Sequence, residues 1–406
     1  MRPFGIDFLF GCVACIIWAG VGGSASAGDT ETVLHEFTYA TGKNPLGGPS
    51  LDPSTGALYG VASRGGSGNG VIYQMLPPTV SNPSWTYSVI YEFPSPSQNY
   101  SGVFLVNGIG YFASISGGSG CGSGGCGAVY SLTPPKSGNG DWTPTLLYQF
   151  TGGSDGTEPE GLSIDSNGVL YGATRAGGIG CPSSGPGCGL VYKLTPPQTA
   201  GQPWGYSVLY RFPGGKAGEL PDGVYFDNQG NLYGSAWNGD VSPLKSLIFK
   251  LTPPTGAGEW TETVLYRYYP GSTNCGAGLT VGAAGVVYGV VGGTCNYAIQ
   301  LTPSASNPND LVKNVLHAFG AAATLMSVQM GSGGDYYGVT RQADTVFRLQ
   351  PRPGVPGKWN LKVLSNFANG GAYANGGLVL GSAGVIYGAT QSGGHNNGGV
   401  IFSLKP

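Results

Sequence analysis

Short stretches in which apolar and polar residues alternate recur along the whole chain, each bounded by Gly, Pro, Asn or Asp, and this period of two predicts half-buried antiparallel strands. Three phrases repeat. The first is an apolar residue followed by Tyr and usually Gly, at Tyr59, Tyr111, Tyr171, Tyr233, Tyr288, Tyr337 and Tyr387. The second follows each of these anchors: VIYQMLPP, AVYSLTPP, LVYKLTPP, LIFKLTPP, AIQLTP, VFRLQP and the terminal VIFSLKP. The third alternates and ends in an aromatic residue: SVIYEF, TLLYQF, SVLYRF, TVLYRY, NVLHAF and KVLSNF. Its seventh copy, TVLHEF at 32–37, stands before the first anchor.

Each repeat therefore reads as four strands, counting the segment that leads into the turn before the anchor. Four-stranded antiparallel units repeated radially are the β-propeller plan. The expected fold is all-β, a seven-bladed propeller in which strand 32–37 completes the last blade and closes the ring. Such a clasp argues against an open solenoid, whose ends need polar caps.

Arg2, an apolar run from Phe8 to Trp18 and the small residues Ala25-Ser26-Ala27 have the layout of a secretory signal peptide. The expected organisation is a leader over 1–27 and one propeller domain over 28–406, exported to the periplasm or beyond. The leader's apolar run is too short for a membrane span and no other stretch reaches one. Cys12 and Cys15 lack the surroundings of a lipoprotein site. Only 9% of residues are charged and the formal net charge is −2, so the basic footprint of a nucleic-acid partner is absent. The abundant Gly lies between strand-like runs, which assigns it to turns.

The segment FTGGSDGTEPEGLSIDSNGVLYGATRAGG at 150–178, followed by LVYKLTPP, resembles the repeat of the bacterial GloVer tandem-repeat family, with weaker copies over the rest of the mature chain. The resemblance implies a secreted, surface-associated propeller-like protein of unassigned activity. Members of that family often carry a C-terminal anchoring segment, whereas this chain stops at Pro406 inside its last strand phrase.

An even set of cysteines after the leader favours disulfides in an exported chain. Cys121 and Cys126 share one Gly-rich loop, Cys181 and Cys188 share the equivalent loop of the next blade, and Cys275 and Cys295 flank a strand pair whose ends should meet. A zinc site would require further Cys or His close by. No metal or cofactor is expected.

Trp85, Trp142, Trp204, Trp260 and Trp359 recur just before the third phrase and read as packing residues. Trp237 breaks that pattern. It lies four residues after its anchor, where other repeats place Ser63, Ile115, Arg175, Gly292, Arg341 and Gln391. Trp237 with Arg175, Arg341 and Gln391 around a concavity suits stacking and hydrogen bonding to a sugar or peptide. His395, in a Gly/Asn loop, joins them as a ligand-binding candidate. His35 and His317 replace the Tyr of other repeats and read as packing residues. Asp155, Glu158 and Glu160 crowd one loop near Arg175, an arrangement that suits an ion pair better than catalysis. Asp52, Asp165 and Asp227 precede turns and should cap them. The glycines lack the strand-to-helix setting and Lys of a phosphate loop.

These residues favour a non-enzymatic, monomeric binding or structural module for an extracellular glycan or protein. The alternative is a carbohydrate-active or quinone-dependent enzyme that uses the central opening, because propellers host many chemistries. Three or more ionisable groups converging on that opening favour the enzyme; a polar but uncharged surface favours binding.

Overall fold

A computed structural model gives the architecture. It describes the chain apart from residues 1–29, 95–101, 119, 137–139, 179, 182–186, 228, 238–245, 257, 269–277, 283–284, 292–295, 307–310, 321–323, 332, 342–343, 368–370 and 375. The leader and the Cys275–Cys295 pair fall outside the described residues.

The strands form seven antiparallel sheets, and they make a seven-bladed propeller. Blade 1 runs through Lys43–Leu51, Leu58–Arg64, Val71–Leu76 and Thr86–Glu92. Blade 2 begins at Phe104–Val106, blade 5 at Thr280–Val281 and blade 6 at Leu325–Met330. Blade 3 comprises Thr157–Ile164, Leu170–Ala176, Leu190–Thr195 and Gly205–Arg211. Blade 4 comprises Val224–Phe226, Leu232–Ala236, Ser246–Thr252 and Thr261–Tyr268. In blade 7 the N-terminal strand Thr30–Glu36 pairs with Val400–Lys405, which pairs with Ile386–Gly393. The inner place is held by Gly371–Ala374 and Val379–Leu380. Closure by the N-terminal strand is thus observed.

The repeated wording now has a steric reason. In five blades the Gly after the anchor faces a large aromatic on the third strand, as with Gly60 opposite Tyr73, Gly172 opposite Tyr192 and Gly234 opposite Phe249. A methyl on Gly172 would stand 2.5 Å from the Tyr192 hydroxyl, so the ring fills the space that the missing side chain leaves. Three of the recurrent Trp residues join neighbouring blades, whereas Trp359 meets Tyr336 within blade 6 at 5.1 Å. Trp142 of blade 2 meets Tyr59 of blade 1 at 5.9 Å, Trp204 of blade 3 meets Tyr111 of blade 2 at 6.5 Å, and Trp85 of blade 1 meets Tyr387 of blade 7 at 5.7 Å, all edge-on. The third phrase ends on buried rings such as Phe37, Phe150 and Phe212. His35 stacks on Tyr87 at 3.7 Å, and burial pushes its pKa down to about 4, as suits a packing residue. His317 packs edge-on against Phe319.

Two disulfides match expectation, Cys121–Cys126 and Cys181–Cys188. They flank the inter-blade seams. The amide of Glu158 in blade 3 donates to the Cys126 carbonyl at 3.1 Å, and the amide of Leu220, entering blade 4, donates to the Cys188 carbonyl at 2.9 Å. The turn aspartates also cap as expected: Asp52 accepts from the Ser54 amide at 2.9 Å, Asp165 from Asn167 at 2.8 Å and Asp227 from Gln229 at 2.8 Å.

Candidate functional site

The first strands of neighbouring blades approach one another around the axis. Ser50 of blade 1 donates to the Val103 carbonyl of blade 2 at 2.6 Å, and Thr280 of blade 5 donates to the Val328 carbonyl of blade 6 at 2.9 Å. The opening they leave contains a cavity of about 370 Å³, bordered by Ser50, Val103, Glu160, Leu162, Asp222 and Tyr225 from four consecutive blades.

Charge enters this opening from blades 3 and 4. Glu160 stands at the inner strand of blade 3, and Arg175 on the adjacent strand pairs with it at 3.4 Å. The Arg175 guanidinium also lies over the Trp237 ring of blade 4, 5.2 Å from its centre, a contact whose strength grows with desolvation. Trp237 Nε1 donates to Asp222 at 2.8 Å, and Ser235 donates to the same oxygen at 3.1 Å. The Trp237 backbone is itself held, exchanging hydrogen bonds of 2.7 and 2.8 Å with Glu219. Gly161 makes the convergence possible: it has a φ of +53°, and a methyl there would sit 2.9 Å from the Gly223 Cα. Two glycines in contact let the inner strands of blades 3 and 4 meet, and each glycine follows a carboxylate.

The electrostatics follow from this burial. Desolvation, reinforced by the nearby charge of Asp222 and only partly offset by Arg175, pushes Glu160 up to about 7. Burial raises Asp222 to about 6, against the lowering effects of the Trp237 bond, Arg175 and Ser235. Tyr225 is 43% exposed to the opening; enclosure by the surrounding protein, and then the charge of Asp222, hold its hydroxyl above the usual range.

The sequence-derived candidates thus separate. Arg175 and Trp237 come together with Glu160. Arg341 and Gln391 form a second pair in blades 6 and 7, joined at 3.4 Å. His395 lies elsewhere, at the ring closure, where its Nδ1 is 2.8 Å from the Glu36 carboxylate and its side chain is 90% exposed. Of the three acids in one loop, only Glu160 reaches Arg175. Asp155 accepts from Thr151 and Tyr148, and Glu158 is exposed. Asp222 is the residue that sequence reasoning missed. A signal was present: Glu160-Gly161-Leu162 and Asp222-Gly223-Val224 fill the same slot of the repeat, where the other blades have Gly47, Ser101, Ala277, Met326 and Gly376.

Taken together, the blades and their axial opening define a seven-bladed propeller with a charged sector at blades 3 and 4. Residues 67–302 match the Gloeobacter/Verrucomicrobia repeat, more than half of the chain, and the protein belongs to that repeat family. No curated protein sequence is similar to it. Among solved structures, a catalytically inactive virginiamycin B lyase from Staphylococcus aureus with quinupristin is 13% identical, with a TM-score of 0.54 over 93% of this chain and 99% of that one. YCF48 bound to a D1 peptide is 11% identical, with a TM-score of 0.55 over 93% and 97%. The extracellular domain of a putative one-component system from B. thetaiotaomicron is 11% identical, with a TM-score of 0.53 over 92% of this chain and 40% of that one. At these identities the likeness is one of fold.

Proposed function

We propose that the protein is an exported enzyme that uses the axial opening beside blades 3 and 4 for acid–base chemistry on a neutral, polyhydroxylated substrate such as a glycan. The observation that carries this reading is the convergence of three ionisable groups, Glu160, Asp222 and Arg175, on one sector of the ring. Two carboxyl groups held at different pKa values are the usual division into proton donor and acceptor. Glu160, the higher at about 7, is assigned as donor, and Asp222, at about 6, as acceptor. Paired carboxyls of this kind serve glycoside hydrolysis. The two acids outnumber the single Arg, so the site disfavours anionic substrates such as uronates. Export rests on the leader sequence and accords with the two disulfides. Among the fold neighbours one is a lyase and another holds a peptide, so the choice between turnover and binding rests on this site alone.

The test is a panel of neutral and acidic oligosaccharides incubated with wild type, Glu160→Gln and Asp222→Asn. Each variant should lose about a hundredfold or more of kcat with little change in KM. Full turnover by both variants refutes the assignment. A second reading, the binding module, is favoured by the way the groups satisfy one another: Trp237 donates to Asp222 while Arg175 pairs with Glu160 and covers the Trp237 ring. It predicts retained ligand on a glycan array without product, and a loss of about 2 kcal/mol, roughly thirtyfold in affinity, in Trp237→Ala.

A further inference from the structure

Beside the axial site, a buried carboxylate is pressed against a disulfide. Oε2 of Glu219 lies 2.7 Å from the Cys181 sulfur and 3.8 Å from the Cys188 sulfur. Glu219 is 5% exposed and Cys188 is fully buried. The three ligand-type atoms all lie within 4.8 Å of one another. A disulfide carries no proton, so while the bridge is closed this contact gains nothing from hydrogen bonding by sulfur. Thiols or a cation between the three groups would change that.

The repeat supplies an internal control. Thr157 occupies the position in blade 3 that Glu219 holds on entry to blade 4, each one residue before the positive-φ residues Glu158 (57°) and Leu220 (54°) that clasp the preceding blade. Thr157 faces the other disulfide, 3.6 Å from the Cys121 sulfur, and donates to the Cys126 carbonyl at 3.0 Å. A neutral hydroxyl therefore suffices to seat such a bridge. The carboxylate at 219 is an addition to the structural device.

We propose that Cys181, Cys188 and Glu219 form a redox-gated zinc site, closed as a disulfide and competent once reduced. A dithiol reductant gives two electrons to the S–S bond, becomes a disulfide itself and leaves two thiols on the protein. Binding of Zn²⁺ then releases both thiol protons and forms two Zn–S bonds and one Zn–O bond, with water in the fourth position. With Zn–S bonds of about 2.3 Å the sulfurs of a tetrahedral site stand roughly 3.8 Å apart, a small opening of the present bridge. The site also adjoins the axial sector, because Glu219 exchanges both backbone hydrogen bonds with Trp237.

The test uses the native chain, reduced, freed of reductant under argon and treated with iodoacetamide with or without Zn²⁺. Mass mapping should show Cys181 and Cys188 protected by about tenfold or more, with Cys121 and Cys126 alkylated at an unchanged rate. Titration with Co²⁺ should give a thiolate-to-metal absorption band that Zn²⁺ abolishes, weakened about tenfold or more in Glu219→Gln. Equal protection of both pairs, no protection at all, or a Co²⁺ affinity that ignores Glu219→Gln would each overturn the proposal. The mapping needs no variant, so it decides even if the substitution unfolds the blade.

Discussion

Two glutamates in the outer strands show how much one side chain can govern between blades. Glu262 in blade 4 accepts from the Tyr210 hydroxyl of blade 3 at 2.8 Å, and Glu31 in blade 7 accepts from Ser365 of blade 6. Each carries the same Thr-Glu-Thr-Val-Leu wording. In both, Oε1 is buried with no hydrogen-bond partner. Burial drives Glu262 up to about 7, beyond what the Tyr210 bond and the charge of Arg267 pull back. The folded protein therefore holds this proton more tightly than the unfolded chain does. Its stabilising contribution is complete below the ordinary glutamate range and is lost as pH climbs through 7. Glu262→Gln keeps the shape and a partner for Tyr210 without the charge. The variant should melt with wild type near about pH 5 and several degrees above it near about pH 8. Identical melting curves at both pH values would show that the fold leaves the Glu262 carboxyl in its ordinary range.

At the level of strands and blades, adhesion comes from aromatic contacts between neighbours. Trp142 is 8% exposed and its ring meets Tyr59 across the seam between blades 1 and 2. Trp142→Ala should cost about 3–5 kcal/mol, as for other large buried rings, whereas Trp237→Ala, at the axial sector, should melt close to wild type. Thermal unfolding of both variants checks the contrast, and equal losses would erase it. The sequence made this difference readable because Trp142 recurs with the repeat and Trp237 does not. Strand identity, blade number and ring offset were legible for the same reason: a period of two and a phrase repeated seven times report local sterics directly. The site was legible only in part. Arg175 and Trp237 were visible as departures from the repeat, but their stacking depends on how closely blades 3 and 4 approach, which Gly161 and Gly223 set through contacts remote in sequence. Asp222 escaped notice because a lone acid before a glycine reads as a turn until its neighbour Glu160 is placed beside it. Glu219 was silent for the same reason, since nothing in its own segment points to cysteines more than thirty residues earlier.

On the scale of the whole ring, stability depends on joining the two ends of the chain. The residues that match the repeat family stop at 302, yet the closing sheet is built from Thr30–Glu36 and from strands beyond 370. Six residue pairs join the N-terminal strand to Val400–Lys405, which without it would be an open edge, and an unpaired edge is a template for association. Side chains reinforce the backbone ladder. Glu36 accepts from the His395 backbone amide at 2.9 Å, and that bond, with the ring contact, holds its carboxyl below the usual range. Such an exposed pair is worth at most about 1 kcal/mol, so the ladder and the burial of Phe37 must carry most of the closure. Removing residues 30–38 deletes both. The truncated protein should unfold at markedly lower temperature and associate as its concentration rises, while His395→Ala alone should shift the melting point by only a degree or two. Calorimetry with light scattering on both proteins distinguishes the cases: a truncated chain that stays monomeric and melts with wild type would mean that the ring is held by its inter-blade seams alone.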